Sequence, residues 1–319
     1  MPPHARPAPS VGDLTGRTFV VTGGTGGLGY RASEQLAAAG GAVVIAARSA
    51  ENGAAALASL TSRVPGAEAR FVRLDLADLD SVARAADELE GLPRIDALIA
   101  NAGILSTNGR TETVDGFETM LGTNLLGHFA LIGRMLPALT ERASVAGGPA
   151  TRIVSLGSIS HEFFRLDLDD LQAQEGRFRG FRTYGRSKLA VMTFAFELDR
   201  RLRRAGSPLA SLVAHPGFAV DELDPTRAIL PAPRRGTPVS RAGYRVIAQG
   251  KVEGAWPIVA AATSPEAAGG QYWGPDGWRQ LRGTPTVVSA KQYARDPAVA
   301  RPLWSAAERL TRVTYPLPA

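Results

Sequence analysis

The chain has no cysteine, so it can form neither a disulfide framework nor a thiolate metal site. Its four histidines, His4, His128, His161 and His215, show no ligand spacing, and no metal is expected. No stretch reaches the roughly 18 uninterrupted apolar residues of a membrane span. The proline-rich start from Met1 to Ser10 also lacks the apolar run of a secretory signal, so a cytoplasmic location without a membrane span is expected. Lysine is scarce too: Lys188, Lys251 and Lys291 stand beside 33 arginines, which makes each lysine a notable choice. The arginines give a net charge of +6 and are densest from Arg177 to Arg204. No aromatic residues interleave with them in the manner that stacks bases, so a solvated helix face is the reading and no nucleic-acid partner is expected.

What is present is the material of a globule. Hydrophobic residues make up 45% of 319 and charged residues 21%, without a long biased tract. Apolar β-branched runs alternate with segments of helical period, the pattern of an α/β fold with a doubly wound parallel sheet and helices on both faces. Strands are predicted at 18–22, 42–47, 69–74, 97–100, 152–155, 209–214 and 271–273. Helices are predicted at 28–39, 54–62, 78–89, 120–141, 184–205, 253–263 and 298–314. Residues 1–12 read as a flexible tail and 13–285 as one catalytic domain. Residues 286–319 read as a helical extension of that domain. From Asp224 to Gly250 four prolines and three glycines interrupt the periodicity, which predicts a mobile, substrate-contacting lid at about 218–250.

Directly after the first predicted strand, Thr22 is followed by Gly23, Gly24, Thr25, Gly26, Gly27, Leu28 and Gly29, opening a helix. Glycines let backbone approach a pyrophosphate, and a helix N-terminus offers free N–H groups and partial positive charge to it. Gly23, Thr25, Gly26, Gly27, Leu28 and Gly29 are therefore candidate dinucleotide contacts in a Rossmann-type sheet. The second strand ends in Ala47-Arg48-Ser49, where an NAD site carries an acidic residue. The Arg48 guanidinium and Ser49 hydroxyl suit a 2′-phosphate, so NADP(H) is favoured, although Arg48 also reads as an ordinary surface arginine. After the third strand, Asp75 and Leu76 are placed to frame the adenine; Asp75 equally suits the approach to a helix.

Tyr184 and Lys188 stand four residues apart on a predicted helix, which puts phenol and ammonium on one face. A cation near the phenol would lower its pKa toward acid/base use. With these motifs in order, the chain resembles the short-chain dehydrogenase/reductase family from about Leu14 to Thr263, and through the remainder. Asn101-Ala102-Gly103 resembles the segment after strand four that borders the cofactor. Asn124 matches the asparagine that holds a proton-relay water, and Ser158, rather than Ser155, matches the carbonyl-orienting serine. Pro216 and Gly217 match the segment beside the nicotinamide, but Asp221 replaces a frequent threonine there. The glycine string also fits the spacing of extended sugar epimerases through Gly26, and Asn101-Ala102-Gly103 decides against them. His161, Asp169 to Leu171 and the string from Tyr184 to Ala190 resemble the retinol dehydrogenase and protochlorophyllide reductase branch.

The resemblance implies reduction or oxidation of a carbonyl/alcohol centre on a mainly apolar small molecule. Asn124, Ser158, Tyr184 and Lys188 would be the catalytic set. It leaves two alternatives, a carbon–carbon double-bond reductase and a non-catalytic NADP(H)-binding sensor. His161, Phe163, Phe164, Trp256 and Trp273 are either pocket residues or buried core. A homodimer through the helices that contain Met120 and Tyr184 is also implied, unless the terminal extension covers them.

Overall fold

The computed structural model describes residues 9–146, 151–233, 237, 243, 244 and 246–318. Most of the predicted tail and a smaller part of the predicted lid lie outside these. The sheet comprises β1 (Thr18–Thr22), β2 (Ala42–Ala47), β3 (Ala69–Arg73), β4 (Ala97–Ala100), β5 (Arg152–Leu156), β6 (Ala210–Ala214), β7 (Tyr272–Pro275) and β8 (Pro285–Val287). Their order across the sheet is β3-β2-β1-β4-β5-β6-β7-β8. All neighbours are parallel except the antiparallel β7–β8 pair. The central strands are buried on both faces, which is why runs such as Val43-Val44-Ile45 and Leu98-Ile99 are continuously apolar. Strand order reverses between β1 and β4, and this switch opens a crevice beyond their carboxyl ends.

One face is covered by α1 (Gly27–Ala38), α2 (Ala50–Arg63), α7 (Lys251–Gly254) and α8 (Trp256–Thr263). The other is covered by α3 (Leu79–Glu90), α4 (Thr119–Leu121), α5 (Gly127–Ala146), α6 (Gly180–Arg204), α9 (Gln292–Arg295) and α10 (Pro297–Thr311). α3 shows how local chemistry sets an element. Asp78 accepts from the N–H groups of Asp80 and Ser81 at 3.0 and 3.1 Å, and Val82, Ala85, Ala86 and Leu89 form its buried stripe. No helix among the described residues is long and apolar enough to cross a membrane.

Several boundaries differ from expectation for identifiable reasons. α2 begins at Ala50 because the Ser49 hydroxyl caps it, accepting from Asn52 N at 3.2 Å. α6 begins at Gly180, so Tyr184 lies in its second turn. The helix predicted over 120–141 contains a π-helical stretch, Gly122–Leu126, between α4 and α5. The helix predicted over 253–263 is divided at Ala255 into α7 and α8. The terminal helix ends at Thr311, where Arg312 turns left-handed with φ 55°. β8 carries only three residues, too few for a visible alternation.

The residues beyond 285 share the core of α5 and α6. The Trp304 ring lies 5.4 Å from Phe129 and 4.7 Å from Tyr315, and the Arg201 guanidinium stacks 4.1 Å over it. Tyr315 Oη donates to Phe129 O at 2.7 Å. Because Trp304 is 2% exposed, Trp304→Ala is expected to cost about 3–5 kcal/mol. Urea unfolding would read this as a lower midpoint at unchanged slope; an unmoved midpoint would mean the extension is not part of the cooperative unit.

Candidate active site

The crevice begins where β1 ends. Thr22 Oγ accepts from the N–H groups of Asn101 and Ala102, both at 3.0 Å, and Asn101 Nδ2 donates to Thr22 O at 2.8 Å. This clasp draws the β1–α1 turn against the loop after β4. The approach is close enough that a Cβ on Gly29 would stand 2.5 Å from both Asn101 Nδ2 and Gly23 O, so only glycine fits. Gly23 itself turns with φ 68°.

A cleft of about 550 Å³ lies over this turn. Gly23 and Thr25 to Gly29 border its middle, Arg48, Asp75 and Leu76 one end, and Asn101 to Gly103 with Tyr184 and Lys188 the other. The residues fit a dinucleotide. Nothing lies within 4 Å of a Cβ built on Gly26, so the N-terminus of α1 is open to an anion. Arg48 is exposed at the far end with no ion-pair partner among the described residues. Ser49, Asn124, Ser158, Pro216 and Gly217 do not line the cleft. The Ser49 hydroxyl serves as the α2 cap, and Asp75 Oδ1 accepts from Ala77 N at 3.0 Å while still facing the cleft.

At the reactive end, the Tyr184 phenol lies near the Ser158 hydroxyl. Ser158 Oγ also accepts from Ser160 N at 3.1 Å, which fixes the serine at the end of β5. Burial raises the phenol above its ordinary pKa, opposed by the neighbouring Ser158 hydroxyl. The expectation that Lys188 lowers the phenol is corrected here: Lys188 Nζ donates to Leu156 O at 2.9 Å. Lys188 is 4% exposed, and burial brings its ammonium down to about 8.

Asn124 sits in the π-helical stretch, a distortion frequent at functional sites. Its Oδ1 accepts from Ile104 N at 2.8 Å, and its Nδ2 donates to Ile104 O at 3.1 Å and Ser187 Oγ at 2.9 Å. Ser187 Oγ in turn donates to Tyr184 O at 2.8 Å. The carboxamide therefore ties the Asn-Ala-Gly loop to α6. It makes no hydrogen bond to Lys188, although both groups crowd Gly103, whose Cβ would stand 3.2 Å from Asn124 Oδ1 and 3.1 Å from Lys188 Nζ.

His128 and Thr22 complete this support and were not singled out in the sequence. His128 Nδ1 lies 3.0 Å from Asn124 O, a pure acceptor, so Nδ1 carries the proton and Nε2 accepts from Thr22 Oγ at 2.8 Å. Full burial lowers this imidazole to about 4, so it stays neutral. The i, i+4 spacing of Asn124 and His128 was the available signal. His215 is likewise buried, lowered to about 3, and shapes the Pro216-Gly217 turn by accepting from Gly217 N at 3.2 Å. Gln249 Nε2 holds the same turn through Pro216 O at 2.8 Å.

His161 is buried between Ser158 O, 2.7 Å from its Nδ1, and Lys291 N, 3.3 Å from its Nε2. Trp256 and Trp273 are buried, whereas Phe163 is exposed. The first part of the predicted lid is tied to α1 by ion pairs. Arg31 of α1 pairs with Asp224 at 2.8 Å, and Glu34 of α1 pairs with Arg227 at 2.7 Å. Asp221 pairs with Lys251 beside the glycine turn.

Known proteins agree with this geometry. The sequence profile described as short chain dehydrogenase matches residues 17–165. Polyprenol dehydrogenase of Mus musculus is 36% identical over 97% of this chain and 86% of its own. Retinol dehydrogenase 13 of Homo sapiens is 33% identical over 97% of this chain and 88% of its own. A crystal structure of an uncharacterized protein from Mycobacterium Paratuberculosis superposes with TM-score 0.75 at 33% identity, covering 97% and 98% of the two chains. A nucleotide cleft at the β1/β4 switch, a tyrosine and lysine one turn apart at its end, and likeness along nearly the whole chain lead to one assignment: the chain belongs to the short-chain dehydrogenase/reductase family of oxidoreductases, on the branch of the retinol dehydrogenases.

Proposed function

We propose that the protein is an NADP(H)-dependent oxidoreductase that interconverts a carbonyl and a secondary alcohol on a mainly apolar small molecule. The observation that carries this reading is Tyr184 and Lys188 lining one end of the cleft together, with the Ser158 hydroxyl near the phenol. When bound, the dinucleotide supplies the two electrons and the hydrogen that a carbonyl carbon accepts on reduction. Ser158 donates a hydrogen bond to the carbonyl oxygen, and Tyr184, kept protonated by its raised pKa, gives its proton to the developing alkoxide. The Lys188 ammonium, fixed by Leu156 O, lines the same end of the cleft and would hold the dinucleotide there.

Apolar surface around Tyr184 supports the substrate class. Phe181, one turn before it on α6, is exposed and packs 5.7 Å from Phe164. Phe163 and Leu105 are exposed beside them; the Leu105 loop touches α6, since a Cβ on Gly180 would meet Ser106 O. The relatives are named for polyprenol and retinol, both long apolar alcohols.

NADP(H) preference is argued from Arg48 and the absence of a carboxylate at the end of β2. Arg48→Ala is expected to raise the KM for NADPH about 10- to 100-fold, the effect of losing charge-assisted hydrogen bonds to a phosphate, and to leave NADH nearly unchanged. Initial rates with both cofactors against apolar ketones, aldehydes and enones test the whole reading. Wild-type preference for NADH would overturn the cofactor, and saturated ketone as the product from an enone would replace carbonyl reduction with double-bond reduction.

A further inference from the structure

Lys251 is one of three lysines in the chain, and its place is fixed from several sides. It opens α7, two residues after Gln249, which pairs with the 218–220 segment: Gln249 N donates to Phe218 O and Val220 N donates to Gln249 O, both at 3.0 Å. Val252 O accepts from Gln35 Nε2 of α1 at 2.9 Å. A Cβ on Gly254 would stand 2.9 Å from Leu28 and 3.4 Å from Pro216, so α7 rests against the glycine turn and the segment after β6. The result is an ammonium whose Nζ would lie 3.5 Å from a Cβ on Gly27, the first residue of α1. Its one carboxylate partner among the described residues is Asp221, which is brought there by the same strap that Asp224 and Arg227 fasten to α1.

We propose that Lys251 is a ligand for the cofactor's pyrophosphate and that Asp221 is its internal competitor. The inference rests on the reading that a nicotinamide dinucleotide occupies the cleft. A pyrophosphate over the N-terminus of α1 meets Lys251 from the open side of Gly26. It carries more negative charge than a single carboxylate, so it takes the ammonium and releases Asp221. The pair thus holds the ammonium in position before the cofactor arrives, and the strap from 218 to 227 loses one tether when it does. The segment after β6 then responds to the pyrophosphate itself, independently of the nicotinamide or the 2′-phosphate.

Fluorescence titration of the full chain with NADPH, NADH and adenosine 2′-monophosphate, which has no pyrophosphate, tests this. Lys251→Met is expected to weaken NADPH and NADH by the same factor, about 10- to 100-fold, and to leave adenosine 2′-monophosphate unchanged. Asp221→Asn is expected to tighten both dinucleotides several-fold, and to have no effect once Lys251 is methionine. Lys251→Arg, which keeps the charge, should stay near wild type and serves if the methionine variant does not fold. Unchanged dinucleotide affinity in Lys251→Met, equal weakening of adenosine 2′-monophosphate, or weaker binding in Asp221→Asn would each overturn the proposal. A wild-type chain that prefers NADH overturns only the NADP(H) reading, since both dinucleotides carry a pyrophosphate; one that binds neither overturns the dinucleotide reading itself.

Discussion

Tyr184→Phe is expected to lower kcat about 10²- to 10⁴-fold, the range for loss of a positioned proton donor. NADPH affinity should stay near wild type, because the phenol adds at most one hydrogen bond to a ligand held along the whole cleft. The substitution removes a single oxygen from a half-buried ring, and its partner Ser158 keeps the Ser160 N–H, so the fold has no reason to change. The raised phenol pKa adds a direction: the protonated form needed for reduction persists above neutral pH, whereas alcohol oxidation needs the phenolate and should quicken as pH rises. Pre-steady-state NADPH consumption with a parallel binding titration separates the two quantities. Equal loss of binding and turnover, or a turnover close to wild type, would remove Tyr184 from the proton-donor role.

Lys188→Met should separate stability from activity in opposite directions. The ammonium is buried with one carbonyl partner, Leu156 O, and its pKa falls from 10.5 to about 8. At 1.36 kcal/mol per pKa unit, burying the charge costs the fold about 3 kcal/mol, less what the hydrogen bond to Leu156 returns. That cost is present in full below about pH 8. It is relieved as pH rises toward 10.5, because the unfolded lysine holds a proton that the folded one has released. Methionine fills the same channel without a charge, so the ligand-free variant should melt higher at pH 7 and lose this pH dependence. Activity should nevertheless fall by at least about 100-fold, since the ammonium that would hold the dinucleotide at the Tyr184 end of the cleft is lost. A lower melting temperature at pH 7 would show that Lys188 is held by more than Leu156.

Much of this was legible in the sequence because period and motif coincide. The β-branched run Val43-Val44-Ile45 reads as a strand buried on both faces, and the glycines from 23 to 29 directly follow a similar run in β1. What was hidden depends on pairings between distant segments. One inserted residue's worth of π geometry at Gly122–Leu126 leaves no periodic trace, yet it sets Asn124 against Ile104 and Ser187. The burial that raises the Tyr184 phenol also needs the packed structure, because spacing alone shows the cation and not the desolvation. Asp224 and Arg227 looked like loop residues until Arg31 and Glu34, about 193 positions earlier, were found across from them.

The packing of the chain's last turns has a consequence for self-association. Val313 and Tyr315 lie so near Gly133 that a single methyl group there would stand 2.6 and 2.7 Å from them, and the Trp304 ring is 5.5 Å from that of Phe194. These aromatic groups sit on α5 and α6, the two helices through which a sister molecule would dock under the family resemblance. Here the chain lays its own tail on that part of them, so a second copy can reach it only by first peeling the tail away.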